Sequence, residues 1–224
     1  MKNHLNIVGG KTELRRLKGK SAIAMALAAV CGLAGCESTP HTYLGPESKW
    51  YRQTERIERV WIADDFDFGN YNAIFVVETA QETAAPEDKH QEEFQNSLRG
   101  IQRELCQAIE LKQIVPKVVT NQAALHAEDK TLKLQTTLYE FHPADVAMRI
   151  MFGAYGAGKA TVKVRGRLSD MATDKSLLLI EDESNSEMIG SIRSGATDAV
   201  LNMAVDWAKL FSKVRKKEPI DYKD

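Results

Sequence analysis

The stretch KTLKLQTTLYEF, residues 130–141, alternates apolar and polar side chains along most of its length. Successive side chains of a β-strand point to opposite faces, so this period of two predicts a strand with one buried face. Residues 159–168 (KATVKVRGRL) alternate in the same way, and residues 176–183 (SLLLIEDE) form a third strand-like run after the turn at 170–175. The inward-facing positions predicted for the first two strands are Leu132, Leu134, Thr136, Leu138, Ala160, Val162, Val164 and Leu168.

Helical periodicity flanks these strands. Residues 86–111 and residues 194–215 each place apolar side chains three and four positions apart, which is the spacing of one face of an α-helix. Shorter strand-like runs lie at 57–63, 73–78 and 114–120. Pro116 restricts the last of these to a sheet edge, because proline cannot donate a ladder hydrogen bond. This order predicts an α+β fold, with a mostly antiparallel four- to five-stranded sheet and two long helices on one face.

The first 36 residues have the composition of an export signal. They hold six of the 30 basic residues of the chain and one of its 31 acidic residues, so the remainder is acidic overall. The uncharged stretch SAIAMALAAVCGLAG at 21–35 is shorter than the roughly 20 apolar residues that span a bilayer. A basic segment followed by a short apolar segment predicts a secretory signal peptide. The acidic remainder predicts no nucleic-acid partner, since phosphate backbones select Lys/Arg-rich surfaces.

The end of this signal, Leu33-Ala34-Gly35-Cys36, matches the lipobox of bacterial lipoproteins. In that motif the cysteine thiol takes diacylglycerol, and the signal is then cleaved between Gly35 and Cys36. We therefore predict Cys36 as the lipid anchor, and two or three acyl chains hold a protein on a membrane essentially permanently. Glu37 replaces the Asp that retains lipoproteins in the inner membrane, which favours the outer membrane. An ordinary signal peptide with a chance cysteine is the alternative.

The chain therefore divides into a signal peptide, a lipidated cysteine with a tether, an α+β domain and a polar tail. Their predicted bounds are 1–35, 36–56, 57–215 and 216–224. The tether is predicted from its polar composition and from Pro40, Gly45 and Pro46. Cys106 lies on the apolar side of the first predicted helix and is expected to pack as a small hydrophobe. A disulfide with Cys36 is the alternative in an oxidising compartment.

The loop GAYGAGKA at 153–160 has the glycine and lysine spacing of a phosphate-binding P-loop. Ala160 stands where that motif places the Ser or Thr that binds magnesium. A P-loop also leads into a helix whose N-terminus meets the phosphates, whereas the residues here alternate as a strand. We therefore expect no nucleotide and interpret the glycines as a tight connection. A small-ligand loop formed by Gly153, Gly156, Gly158 and Lys159 is the alternative.

No catalytic residue, metal site or cofactor is predicted. The acidic cluster Asp64, Asp65 and Asp67 lacks the ligand spacing of a calcium loop. The histidines at 41, 90, 126 and 142 show no paired spacing of the kind that zinc sites use. The sequence contains no Gly-x-Ser-x-Gly nucleophile motif. Arg165 and Arg167 are expected to face solvent from the outer side of their strand.

Several short motifs together resemble a family of small bacterial lipoproteins classed as a domain of unknown function. They are Tyr139-Glu140-Phe141, the Gly-x-x-Gly-x-Gly-Lys-Ala turn, Leu168-Ser169-Asp170 and Thr173-Asp174-Lys175. The resemblance covers most of residues 57–212 and departs from the family at Asp174, where a turn glycine is usual. It implies an envelope lipoprotein with an α+β fold and no established catalytic residues. More distantly, the element order is similar to the N-terminal domain of TolB and to curli-assembly lipoproteins.

These observations favour a non-catalytic, lipid-anchored module that faces the periplasm and binds or scaffolds another envelope protein. A hydrolase-like envelope enzyme and a small-ligand binder are the alternatives. A cleft that groups a histidine with a carboxylate of perturbed pKa would favour the enzyme. An exposed apolar patch or an unpaired sheet edge would favour the binding module.

Overall fold

The computed structural model describes residues 52–145, 158–186 and 195–223, and within them two long helices and seven strands. The helices are α1, Asp88–Leu111, and α2, Ala196–Lys216. The strands are β1 Arg59–Ile62, β2 Ala73–Val76, β3 Ala80–Gln81, β4 Lys117–Val119, β5 Thr131–His142, β6 Thr161–Asp170 and β7 Ser176–Asn185. All the predicted helices and strands are therefore present, and the two-residue β3 is an addition.

The sheet is mixed, so the prediction of a mostly antiparallel sheet of four to five strands was wrong. Its order is β1-β7-β6-β5-β2-β4, and β3 also pairs with β5. Strands β1, β5, β6 and β7 form antiparallel pairs, whereas β2 pairs in parallel with both β4 and β5. For the β2–β4 pair the cause is α1, which returns the chain to the end of the sheet where β2 began, so that β4 runs in the same direction. Residues 120–130 then return the chain once more, so that β5 also runs parallel to β2.

The core lies between the two helices, which contact each other, and the face of the sheet that they cover. All eight inward-facing positions predicted for the central strands are buried, which confirms the alternation. A bulge in β5 between Leu138 and Glu140 changes the alternation. Because an extra residue shifts the facing of the strand, Phe141 lies opposite the inward-facing Val162 and packs against Phe94, with ring centroids 5.1 Å apart.

The two ends of the described chain pair with the domain. The backbone groups of Arg52 and Val60 exchange two hydrogen bonds of 2.9 Å, which cover the outer edge of β1. Thr54 forms a backbone bridge with Tyr222, and the amide of Lys223 donates to the carbonyl of Gln53 at 2.8 Å. Part of the segment predicted as a tether therefore hydrogen-bonds to the domain, and part of the predicted tail hydrogen-bonds to that segment.

Candidate functional site

Several residues singled out in the sequence lie outside the described residues, namely Gly35, Cys36, Gly153 and Gly156. The end of the glycine loop is described. Gly158 has a left-handed φ of 74°, which glycine adopts without strain, and its carbonyl accepts a hydrogen bond of 3.2 Å from the amide of Asp145. After Lys159 the chain enters β6, as predicted, so no helix N-terminus follows this loop to meet a phosphate.

A cleft of about 720 Å³ opens at the end of the sheet, beside the start of β5 and the turn between β6 and β7. Its lining includes His126, Asp129, Asp170 and Tyr71. Since it groups a histidine with carboxylates, this cleft is the natural place to test for an enzyme.

The carboxylate of Asp170 accepts hydrogen bonds within the turn after β6. Its Oδ1 accepts hydrogen bonds from the amides of Ala172 and Thr173, at 3.0 and 2.8 Å, and from the Thr173 hydroxyl at 2.9 Å. Its Oδ2 accepts a hydrogen bond of 2.9 Å from the hydroxyl of Tyr71. Burial acts to raise the pKa of Asp170, but these donors outweigh it and hold the pKa below its usual value. Burial, together with Asp170, raises the pKa of Tyr71 to about 12.

The carboxylate of Asp129 likewise accepts hydrogen bonds from groups of the fold. Its Oδ2 accepts from the backbone amide of His126 at 2.9 Å and from Lys117 Nζ at 2.8 Å, and both donors lower its pKa. A general base is most effective with a pKa near the working pH, whereas the pKa of each carboxylate here is lowered by donors within the fold. Within the described ranges, no three metal-ligating side chains lie together. The cleft therefore does not favour the enzyme hypothesis.

The face of the sheet away from the helices carries a layer of matched charges. Arg165 contacts Glu181 at 2.9 Å and Glu82 at 3.2 Å, and its guanidinium stacks on the ring of Tyr139, 4.2 Å from the centroid. Its side chain is only 14% exposed, so the prediction of a solvent-facing charge is corrected here: the acidic partners and the aromatic ring cover it. Arg167 likewise contacts Asp174 at 3.2 Å. Both guanidinium groups are thus engaged within the fold rather than presented to an anionic partner.

The two edges of the sheet differ. The edge at β1 is covered by the backbone of Arg52, whereas no segment among the described residues pairs with the outer edge of β4. Pro116 immediately precedes β4, and the prediction of an edge strand there is confirmed. All three residues of β4 are only partly buried. This edge therefore offers backbone groups to another chain.

An exposed leucine lies at the end of α1, and a groove lies at the start of β4. Leu111 is 84% exposed at the end of α1, two positions beyond the buried Ile109 and off the apolar stripe of the helix. The groove has a volume of about 560 Å³ and includes Val115 and Val118 in its lining. Arg215 from α2 lies in the same lining and donates hydrogen bonds to the carbonyls of Gln113 and Ile114. The position of Leu111 off the stripe is the sequence signal that could have predicted this surface.

No family model matches the chain, and no curated protein matches it. Solved structures with a partly similar arrangement include a PelC dodecamer from Paraburkholderia phytofirmans, which is 14% identical with a TM-score of 0.46, the match covering 69% of this chain and 95% of that one. Protein XCC0632 from Xanthomonas campestris, of family DUF330, is 9% identical with a TM-score of 0.38, covering 66% and 87% of the two chains. Lipoprotein GNA1162 from Neisseria meningitidis is 18% identical with a TM-score of 0.32, covering 62% and 96%.

The neighbours thus include a protein of a family of unknown function and a lipoprotein. At such low identities and TM-scores, the likeness assigns neither a family nor a function to this chain. The expected similarity to TolB and to curli-assembly lipoproteins stays a prediction. None of the described helices is both long enough and apolar enough to cross a membrane.

Proposed function

We propose that this chain is a lipoprotein of the bacterial cell envelope, anchored by lipid on Cys36 and facing the periplasm. The observation that carries the anchoring is the run Leu33-Ala34-Gly35-Cys36 at the end of a basic and then apolar N-terminal segment. Glu37 favours the outer membrane as its destination. The segment between Cys36 and Arg52 would then link the domain to the membrane.

The role proposed for the domain is non-catalytic binding or assembly of another envelope protein. The observation that carries it is the difference between the two sheet edges: Arg52 bridges β1 at Val60, whereas none of the described residues pairs with the outer edge of β4. The exposed Leu111 ends the helix that leads into β4. An extended segment of a partner adds to such an edge through backbone hydrogen bonds, while an apolar side chain at the rim supplies contact area. Natural sheets usually protect long edges, and here Lys117 and Pro116 limit self-association without covering the edge.

Site-specific photo-crosslinking in living cells tests this role. A photoreactive residue at position 111 should give a discrete crosslinked species, because Leu111 is the most exposed large apolar side chain among the described residues and α1 leads into β4. The matched control is position 201, a leucine that is 46% exposed on α2, the helix that contacts α1, β6 and β7. Crosslinking that is equal at the two positions, or absent from both, would contradict the proposal. A photoreactive residue at the exposed Thr120, directly after β4, should give the same species. In that chain Leu111→Arg should abolish the species while leaving folding unchanged, since the Leu111 side chain buries little surface.

A further inference from the structure

A carboxylic acid lies in the core beneath α2. Asp182 of β7 pairs with the inward-facing Val164 of β6, so it faces the helices, and it is 2% exposed. Its Oδ2 accepts a hydrogen bond of 2.8 Å from the indole nitrogen of Trp207. Its Oδ1 is buried without a hydrogen-bond partner among the described residues. An ionised carboxylate in this position would leave one charged oxygen unsatisfied.

The charged groups that face Asp182 from the neighbouring elements are also acidic. Glu58 lies in the segment that leads into β1, and Asp206 precedes Trp207 in α2; the carboxylates of both residues disfavour ionisation of Asp182. Asp206 is itself paired with Arg56 at 3.2 Å and with Lys209 at 2.8 Å. Burial is the largest cause that raises the pKa of Asp182, to about 7, against the opposing effects of the indole donor and the Glu58 amide.

Of the three elements that meet at Asp182, β1 and the segment that leads into it lie at the end of the sheet, and β1 makes only four residue pairs. Strand β7 pairs with β6 over nearly its full length, and α2 packs against α1. The segment from Arg52 to Ile62 is held by the four residue pairs that β1 makes with β7, by the bridge from Thr54 to Tyr222, by the ion pair of Arg56 with Asp206, and by the buried side chains of Ile57 and Val60. Local opening begins where few hydrogen bonds and few buried contacts resist it. An ionised Asp182 would also be repelled by the Glu58 carboxylate of this segment. A charge at Asp182, with its second oxygen unsatisfied, should therefore loosen this edge segment before the rest of the fold.

We propose that Asp182 is a pH-sensitive latch, which in its neutral form holds the segment Arg52–Ile62 against β7 and α2 and in its ionised form releases it. The segment it controls is the one that continues toward Cys36. Ionisation of Asp182 would thus change how firmly the start of the tether is held against the domain. The latch depends on contacts within the domain, so it does not require lipid on Cys36.

Hydrogen exchange on the full chain tests the latch. After correction for the intrinsic pH dependence of exchange, protection of the Trp61 amide should fall severalfold between pH 6 and pH 8, because this residue pairs with Leu179 of β7. Protection within the β5–β6 pair should stay constant over that range. Asp182→Asn, which keeps the shape but cannot ionise, should make the Trp61 protection independent of pH. Equal pH profiles in wild type and variant, or a parallel loss at β5–β6, would overturn the proposal.

If Asp182→Asn does not fold, an NMR titration of the wild-type chain tests the latch instead. The indole N–H resonance of Trp207 should titrate with a midpoint near 7, because its acceptor changes from acid to carboxylate. Asp206→Asn should lower that midpoint, since Asp206 opposes ionisation of Asp182. A resonance that does not move, or a midpoint near 4, would show that Asp182 does not switch.

Discussion

The indole ring of Trp207 lies directly against the backbone of Gly166, with no room for a side chain between them. A Cβ atom at position 166 would lie 2.4 Å from both Cζ3 and Cη2 of the ring. Gly166 occupies an inward-facing position near the middle of β6, so its missing side chain is what admits the largest residue of α2 to the sheet. The same tryptophan donates to Asp182, and this contact therefore fixes both the height and the rotation of α2 over the sheet.

Gly166→Ala should destabilise the fold by about 1–3 kcal/mol, the usual cost of overpacking a well-packed core. Denaturant unfolding measures this as a lower midpoint with an unchanged slope. Gly100→Ala is the matched control: a Cβ at position 100 of α1 would meet Val200 at an ordinary 3.7 Å. That control should be neutral or stabilising by up to about 1 kcal/mol, because alanine favours a helix interior. A neutral Gly166→Ala would contradict the proposed contact.

The start of α2 is capped from the neighbouring helix. Glu93 Oε1 of α1 accepts a hydrogen bond of 2.9 Å from the amide of Ala196, and the N-cap Gly195 makes no side-chain cap bond of its own. Glu93→Ala should cost about 1 kcal/mol, as the loss of a cap usually does. Glu93→Gln retains an acceptor and should cost less. Glu92→Ala, an exposed neighbour on the same helix, is the control, and an equal loss there would argue against the cap.

The carboxylate of Asp170 should stabilise the fold in a pH-dependent way. Its pKa is lowered in the folded state, so the stabilisation is present above the unfolded value of about 3.9 and is lost as pH falls through the folded pKa. Asp170→Asn should therefore lower the free energy of unfolding at pH 7, and the difference from wild type should shrink below pH 4. Thermal unfolding across pH 2–7 measures it, with Asp64→Asn as an exposed control. A difference that stays constant with pH would contradict the assignment.

Cys106 should behave as a packed, unreactive thiol. It is a free cysteine against the core, and burial, with Glu110 adding to it, raises its pKa to about 11. The thiolate is the reactive form, so alkylation in the native protein should be much slower than in denaturant. Mass spectrometry of the peptide that contains Cys106 measures both rates. Equal rates would show that the thiol is accessible, and a disulfide at Cys106 would support the alternative pairing with Cys36.

Periodicity predicted the elements well because it reports burial directly. The alternation in β5 and β6 reflects one covered face, and the stripe of α1 reflects its contact with the core. Strand direction is decided by how the chain returns after α1, and no local pattern in β2 or β4 records that path. The apolar run of β7 does not indicate which face of the sheet each residue lies on. From the sequence alone Asp182 is an acid at the end of a strand, although its pairing with the inward-facing Val164 places it in the core. The hydrogen bonds of the cleft carboxylates Asp129 and Asp170 likewise depend on donors that the turns place beside them.

The proposed lipid anchor on Cys36 can be observed directly by mass spectrometry of the N-terminal peptide of the protein purified from bacterial membranes. We expect an N-terminus at Cys36 with a diacylglycerol thioether on its sulfur. An unmodified Cys36, or a mature chain that begins at another residue, would contradict it.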